Sequence, residues 1–357
     1  MQQRPDLSFV IPVFNEEAVI PELSRRLGEF LSRIDATWEV VFIDDGSRDR
    51  SRELLVELCR RETRYKLVGL SRNFGHQLAI TAGMDHVSGA AIVVMDADLQ
   101  DPPEVVAEML ERYREGYDVV YGVRRRRENE SFFKRGTAAL FYRLLRSMVG
   151  VQIPLDAGDF RLMSRRVVVA LASLREAHRF VRGMVAWVGF RQTAVHYDRP
   201  ARFAGETHYP LRKMIRFAID GITSFSAVPL KLATYLGLLS GIIGFVTALW
   251  ALWEKLSGQF TVPGWTTIMV AVCFAASAQL LMIGILGEYI GRIYDEVKRR
   301  PLYFVSESVN LADAAEQVSL SEPYILRAAA VADPARAGEA STPPPRASGT
   351  DDVPRNS

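Results

Sequence analysis

VVMDADLQDPPE, residues 93–104, decides how this chain is read. Apolar residues run straight into two aspartates one residue apart, then a glutamine, a third aspartate and two prolines. A short apolar run bounded by turn formers marks a strand buried on both faces. Where the strand ends the chain turns, and both carboxylates can approach one point. A hard divalent cation takes oxygen ligands and keeps phosphate oxygens and waters as the rest of its shell. Asp96 and Asp98, with the amide oxygen of Gln100, are therefore candidate ligands for a metal that holds a diphosphate and neutralises it as it leaves. Pro102 and Pro103 stiffen the turn and start the next helix. A DxD pair taken alone is a weak signal, since many are solvated turns; its place after a buried strand strengthens the metal reading.

Four more stretches read as strands: LSFVIPVF (7–14), WEVVFID (38–44), KLVGLS (66–71) and DVVYGV (118–123), with AIVVMD (91–96) as the run already met. Helix-like segments lie between them near 16–33, 49–62, 76–87 and 103–115. Strands alternating with helices predict a parallel sheet of βαβ units, in which ligands bind beyond the carboxyl ends of the strands. Those ends carry the polar residues. Pro12, Phe14, Asn15 and Glu17 follow the first strand, Asp44 and Asp45 the second, and Arg72, Asn73 and Gly75 the third. Together with Asp96 and Ala97 they are candidates for a nucleotide pocket. Asp44-Asp45-Gly46-Ser47 is also turn and helix-cap chemistry. No GxGxxG or GxxxxGK[ST] pattern follows a strand, which argues against dinucleotide and P-loop sites.

The 357 residues are 48% hydrophobic and carry a net charge of +2, a balance that does not point to nucleic acid. The two cysteines, Cys59 and Cys273, stand far apart without a CxxC partner, which argues against a disulfide framework and a zinc site and fits a reducing compartment. The first residues, MQQRPDLSFVIPVFNEE, lack the apolar core of a signal peptide, so the N-terminal domain is expected in the cytoplasm.

The last third changes character. Residues 232–253 and 266–287 contain no charged side chain, and each run is about the 20 residues of a membrane-spanning helix. Arg212, Lys213, Arg216 and Lys231 precede the pair, and Arg292, Lys298, Arg299 and Arg300 follow it. The positive-inside rule then places both flanks in the cytoplasm. The expected organisation is a catalytic domain over 1–227, membrane helices over 228–253 and 266–290 joined by a short outer loop at 254–265, a juxtamembrane segment over 291–309 and a disordered tail over 310–357. Segments 132–150 and 208–226 read as basic amphipathic helices lying on the bilayer, or as ordinary helices packed on the sheet.

PVFNEE, DDGSRD, SRNFGHQLAITAG and MDADLQDPPE, in that order, resemble the inverting glycosyltransferase family 2 fold. LDAGDFRLMSRR, RPARFAGETHYPLRKMIRFAIDG and GEYIGRIYDEVKRRPLYFV resemble its membrane-bound polyisoprenyl-phosphate branch, over about residues 5–307. The resemblance implies a Rossmann-like GT-A domain with a mainly parallel sheet, a nucleotide-sugar donor, Mg2+ or Mn2+, and a polyprenyl-phosphate acceptor at the bacterial inner membrane. It places Asp44 and Asp45 at the nucleoside and Asp96, Asp98 and Gln100 at the metal diphosphate. It makes Arg199 to His208 a mobile loop, suggests Asp156 and Asp159 as base or positioning groups unless they are turn chemistry around Gly158, and implies a homo-oligomer, often a tetramer.

The acceptor phosphate needs cations, and Arg124, Arg135, Arg161 and Arg202 are the candidates, with His208 where relatives often carry lysine. The run Arg124 to Arg127 could instead meet anionic lipid headgroups. UDP-glucose is the favoured donor, with GDP-mannose, UDP-N-acetylhexosamine and UDP-aminoarabinose as alternatives. A processive polysaccharide synthase would carry QxxRW and more membrane helices; a transporter subunit would carry ionisable groups within its spans, where only Gln279 and Glu288 stand out; a binding scaffold would not need the acidic set intact.

Overall fold

The computed structural model describes residues 4–124, 157–198, 228–257 and 264–311. The expected interfacial helices, Asp156, Arg135, Arg202, His208, residues 258–263 of the expected outer loop and the tail beyond residue 311 lie outside the described residues.

Eight strands form one sheet in the order β7-β5-β6-β4-β1-β2-β3-β8. They are β1 (Leu7–Val13), β2 (Trp38–Asp44), β3 (Tyr65–Leu70), β4 (Ala91–Val94), β5 (Val119–Arg124), β6 (Ala157–Ser164), β7 (Gln192–Tyr197) and β8 (Val305–Val309). The helices are α1 (Ile20–Leu31), α2 (Ser51–Arg61), α3 (His76–His86), α4 (Val105–Arg114), α5 (Arg165–Ser173), α6 (Val181–Trp187), α7 (Val228–Leu256) and α8 (Trp265–Lys298).

Alternate residues of the central strands feed two cores. Phe9, Ile11 and Val13 of β1 pack with Leu23 and Leu27 of α1, Leu55 of α2 and Met109 of α4. Val10 of the same strand packs with Ile80 of α3, Val168 of α5 and Met184 of α6 on the other face. That two-sided burial is why the strands read as unbroken apolar runs. Helix α3 lies close on the sheet because Gly83 has no side chain; a Cβ there would come within 2.3 Å of Val10 and 2.6 Å of Ile43. One polar residue interrupts the core of β1. Ser8 is fully buried and donates to Glu39 at 2.5 Å, and Glu39 also pairs with Lys66 Nζ at 2.5 Å and accepts the Ser88 amide at 2.6 Å.

The sheet is mainly parallel, as expected, and departs from parallel in two places. β6 lies antiparallel between β4 and β5, and β8 lies antiparallel on β3. Gly158 and Asp159 therefore belong to a strand, which corrects the turn reading of that stretch. β6 escaped detection because it carries Asp159 and Arg161 in the interior, where ion pairing offsets burial and breaks the apolar run. The helix expected from residue 16 begins at Ile20, since Asn15 to Glu17 are used in loop contacts described below.

Helices α7 and α8 pack on each other and contain candidate spans at Val228–Thr247 and Phe274–Lys298, with mean hydropathies of 1.6 and 1.4. Their apolar side chains face outward: Leu238 is 63% and Leu280 70% exposed, a surface unsuited to water. The second helix runs to Lys298, past the expected end at 290, and stops where Arg299 turns left-handed at φ 47°.

Candidate functional site

β1 lies between β2 and β4, so the chain departs in opposite directions from its two sides. A crevice opens at such a switch point beyond the carboxyl ends of the strands. It holds a 330 Å³ cavity lined by Pro12 at the end of β1, Phe14 and Glu16 after it, Asp45 after β2, Asn73, Gly75 and His76 after β3, and Asp96, Ala97 and Asp98 after β4.

The walls are tied to one another. The Asn15 amide donates to Ser47 Oγ at 3.0 Å, and the Arg48 amide returns a bond to Asn15 Oδ1 at 2.8 Å. Asn15 reaches this position through a left-handed φ of 55°. The Glu17 amide bonds Asp49, and Glu17 in turn accepts the Arg50 amide at 3.0 Å, so this side chain joins two loops outside the cavity. Glu16, its neighbour, is the one that lines it.

The paired aspartates after β2 divide the work. Asp44 is fully buried and accepts Arg52 Nε at 2.6 Å and the Ser47 amide at 3.2 Å, which holds the loop rather than facing the cavity. Asp45 lines the cavity and accepts the Phe74 and Gly75 amides at 2.7 and 2.9 Å. Burial raises its pKa against those two bonds. Between them, Gly46 at φ 71° lets the β2–α2 loop touch the next one; a Cβ there would lie 2.5 Å from the Arg72 carbonyl carbon. Arg72 stacks its guanidinium 4.0 Å from the Phe74 ring centre and lines a neighbouring 620 Å³ cavity with Asn15, Arg48 and Arg52.

β4 stops at Val94, so Asp96 and Asp98 lie past the strand, and both face one cavity. Leu99 makes that turn at a φ of 60°, and Asp98 Oδ1 accepts the Gln100 amide at 3.1 Å. Oδ1 of Asp96 is buried and accepts no hydrogen bond. Burial, with Asp101, Asp159 and Asp98 nearby, raises the Asp96 pKa to about 7 against the pull of His76. A carboxylate oxygen without a hydrogen bond, set among other acids, is the donor chemistry that a hard cation satisfies. Among the described residues no group of three or more acidic, histidine or cysteine side chains encloses a metal by itself. Two carboxylates facing one cavity fit an ion whose other ligands come from a substrate, and Gln100 is not among the residues lining that cavity.

Asp101 is buried behind the pair. It accepts Tyr197 Oη at 2.7 Å, and Arg124 bonds the same hydroxyl. Arg124, at the end of β5, is thus held near the acidic turn.

Asp159 of β6 lies across the crevice. It accepts Arg182 Nε at 2.8 Å and Nη2 at 3.0 Å, Gln77 Nε2 at 3.4 Å, and stands 3.3 Å from His76 Nε2. Burial disfavours its charge, but His76 and Arg182 outweigh that and hold it well below the usual carboxylate range. His76 Nε2 also lies 3.5 Å from Asp96 Oδ1. Burial lowers the imidazole's pKa, yet Asp159 and Asp96 prevail and raise it to about 8. Arg161 points inward: its Nη2 donates to the Gly158 carbonyl at 2.8 Å, and burial lowers its pKa to about 10.

The crevice therefore gathers Pro12, Phe14, Asp45, Asn73, Gly75, Asp96, Ala97 and Asp98 from the sequence-derived set, puts Asn15 and Arg72 in the adjoining cavity, and keeps Asp44, Glu17 and Arg161 as internal supports. Sequence reading missed His76 and Arg182. His76 stood one residue past the SRNFG turn, so its place opening α3 was a usable signal; Arg182 offered none.

Residues 8–171 match the family model for glycosyl transferase family 2, and residues 228–293 match that for the GtrB C-terminal hairpin. The uncharacterized glycosyltransferase YkcC of Bacillus subtilis is 52% identical over 87% of this chain and 96% of its own length. An uncharacterized glycosyltransferase of Synechocystis, sll0501, is 44% identical over 85% of this chain and 95% of its own. The bactoprenol glucosyl transferase of Shigella phage SfV is 40% identical over 84% of this chain and 97% of its own.

Proposed function

Because this chain belongs to glycosyl transferase family 2, we propose that it moves a hexose from a nucleotide sugar, UDP-glucose first, to a polyisoprenyl phosphate with inversion at the anomeric carbon. The observation that carries the reading is the acidic turn Asp96-Ala97-Asp98 facing a nucleotide-sized crevice, in a chain that also has an outward-facing apolar hairpin. The name of the phage relative supports the lipid acceptor and the glucose.

Pro12, Phe14, Asp45 and Asn73 form the nucleoside end of the crevice. Asp45 offers a carboxylate already fixed by two amides, so it accepts a further donor from a base without reorienting. Asp96, Asp98 and Gln100 hold Mg2+ or Mn2+, which when bound offsets the charge of the departing diphosphate. An oxygen of the acceptor phosphate forms the new bond to the anomeric carbon as the bond to the nucleoside diphosphate breaks. A phosphate monoester has a second pKa of about 6 and is already a nucleophile at neutral pH, so no strong base is required. Asp159, ionised and gripped by Arg182, acts by orienting His76 at the edge of the crevice. Arg124 is the described cation best placed for the acceptor phosphate, next to Asp101. The hairpin anchors the catalytic domain on the cytoplasmic face of the membrane, where the acceptor's tail resides.

The test is transfer of label from radioactive UDP-glucose to undecaprenyl phosphate by the full chain in detergent with Mn2+ or Mg2+. Metal-dependent label in an organic-extractable lipid is the expected result. Label that stays aqueous with a folded protein overturns the donor and acceptor pair.

A further inference from the structure

The strand that closes the sheet comes from beyond the hairpin. β8 follows α8 after a connection of only residues 299–304 and pairs antiparallel with β3, from Leu67↔Val309 to Leu70↔Val305. It lies outside both matched regions, 8–171 and 228–293.

Its near end meets the crevice. The Ser71 amide donates to the Phe304 carbonyl at 2.9 Å, which carries the pairing past β3 into the Ser71–Gly75 loop. The Phe304 ring lies 6.5 Å from the Phe74 ring, whose other neighbour is the Arg72 guanidinium. Phe74 and Gly75 are the residues whose amides fix Asp45. Arg52 joins the second half of the contact: it bonds Asp44, the Leu70 carbonyl at 2.8 Å and Ser306 Oγ at 3.3 Å, and Ser306 donates to the Gly69 carbonyl at 3.0 Å. Both ends of the segment are pinned, by Tyr303 Oη on Asp85 at 2.9 Å and by Asn310 Nδ2 on the Cys59 and Tyr65 carbonyls. Phe304 itself is 57% exposed, so core packing does not account for its position.

We propose that the segment Phe304–Val309 is a positioning element of the donor site, holding the Ser71–Gly75 loop so that Phe74 and Gly75 keep Asp45 aimed at the nucleoside. This rests on the reading of the crevice as a nucleotide site. Phe304 and Ser306 touch no substrate; they act through the loop and through Arg52.

The experiment compares the full chain with Phe304→Ala, Ser306→Ala and the conservative Phe304→Tyr in detergent. Amide hydrogen exchange of residues 71–75 is read without ligand, UDP affinity with Mn2+ by calorimetry, and KM and kcat with UDP-glucose. Phe304→Ala is expected to speed exchange in the loop, leave β1 and β4 protected, and weaken UDP roughly three- to tenfold, the scale of one lost aromatic contact. KM should rise with kcat held, and Phe304→Tyr should restore both. Unchanged exchange in the loop overturns the proposal whatever the nucleotide data. Faster exchange in the variant, with a wild type that binds no uridine nucleotide, overturns the uridine donor and leaves the hold of the segment on the loop established.

Discussion

Arg182 grips Asp159 with two parallel hydrogen bonds, 2.8 Å from Nε to Oδ1 and 3.0 Å from Nη2 to Oδ2. The pair joins α6 to β6 and leaves Asp159 5% exposed, so the carboxylate is oriented rather than available. Breaking such a buried pair from one side leaves an uncompensated charge. Arg182→Ala is expected to lose about 3 kcal/mol of stability and to lower turnover by roughly ten- to a hundredfold through His76, on the scale of lost ligand orientation at metal sites. Thermal unfolding and lipid-labelling rates on one preparation check both. Turnover that survives intact would remove Asp159 from the site's machinery.

Asp96 poses the opposite case, a carboxylate whose surroundings disfavour its charge. Asp96→Asn keeps the shape and removes a charge, on a side chain 30% exposed, beside Asp98, Asp101 and Asp159. The variant is expected to unfold later than wild type, by about 1 kcal/mol, while transfer falls at least about a hundredfold. A more stable, inactive protein is the signature of a residue kept for chemistry. Asp96→Asn that transfers sugar at the normal rate would refute the metal assignment.

Glu39 gives a pH dependence. Burial raises its pKa, but bonds from Lys66, Ser8 and the Ser88 amide prevail, and the folded value lies below 4.5. The group therefore adds stability that is complete above the unfolded pKa and is lost as pH falls through the folded one. Glu39→Gln is expected to cost about 2 kcal/mol at pH 7 and progressively less below pH 4.5. A gap between the two proteins that widens in acid would reverse the sign argued here.

Gly46 tests the link between the second and third strand loops. Alanine there must adopt a φ of 71° and push the Arg72–Asn73 backbone away. The expected cost is about 1–3 kcal/mol, with weaker nucleotide binding, because the displaced loop carries the amides that fix Asp45. Calorimetric titration with UDP separates that effect from a loss of stability alone.

The strands that carry the site were legible because both their faces are buried. β1, β2, β3 and β4 announce themselves as apolar runs, and the acids at their ends then fall at the crevice by topology. Other parts left no such trace. β6 carries Asp159 and Arg161 inside the protein, so its polar residues read as a turn until their partners on α3 and α6 are seen. β8 is five residues, VSESV, mostly exposed at an edge, and no periodicity distinguishes it from a linker. Asp44 and Asp45 look alike in sequence; only Arg52, eight residues on, tells which one is spent on the loop.

Because β8 comes after α7 and α8 in the chain, the catalytic sheet cannot be completed in the order in which it is synthesised. β3 keeps an open edge while the ribosome makes the next two hundred or so residues, and the partner for that edge emerges only after both apolar helices. An enzyme assembled in this order gains its final pocket support late, after the hairpin has left the ribosome. Chains that stall before that point present an unfinished edge, whose unpaired backbone is a template for pairing with another chain.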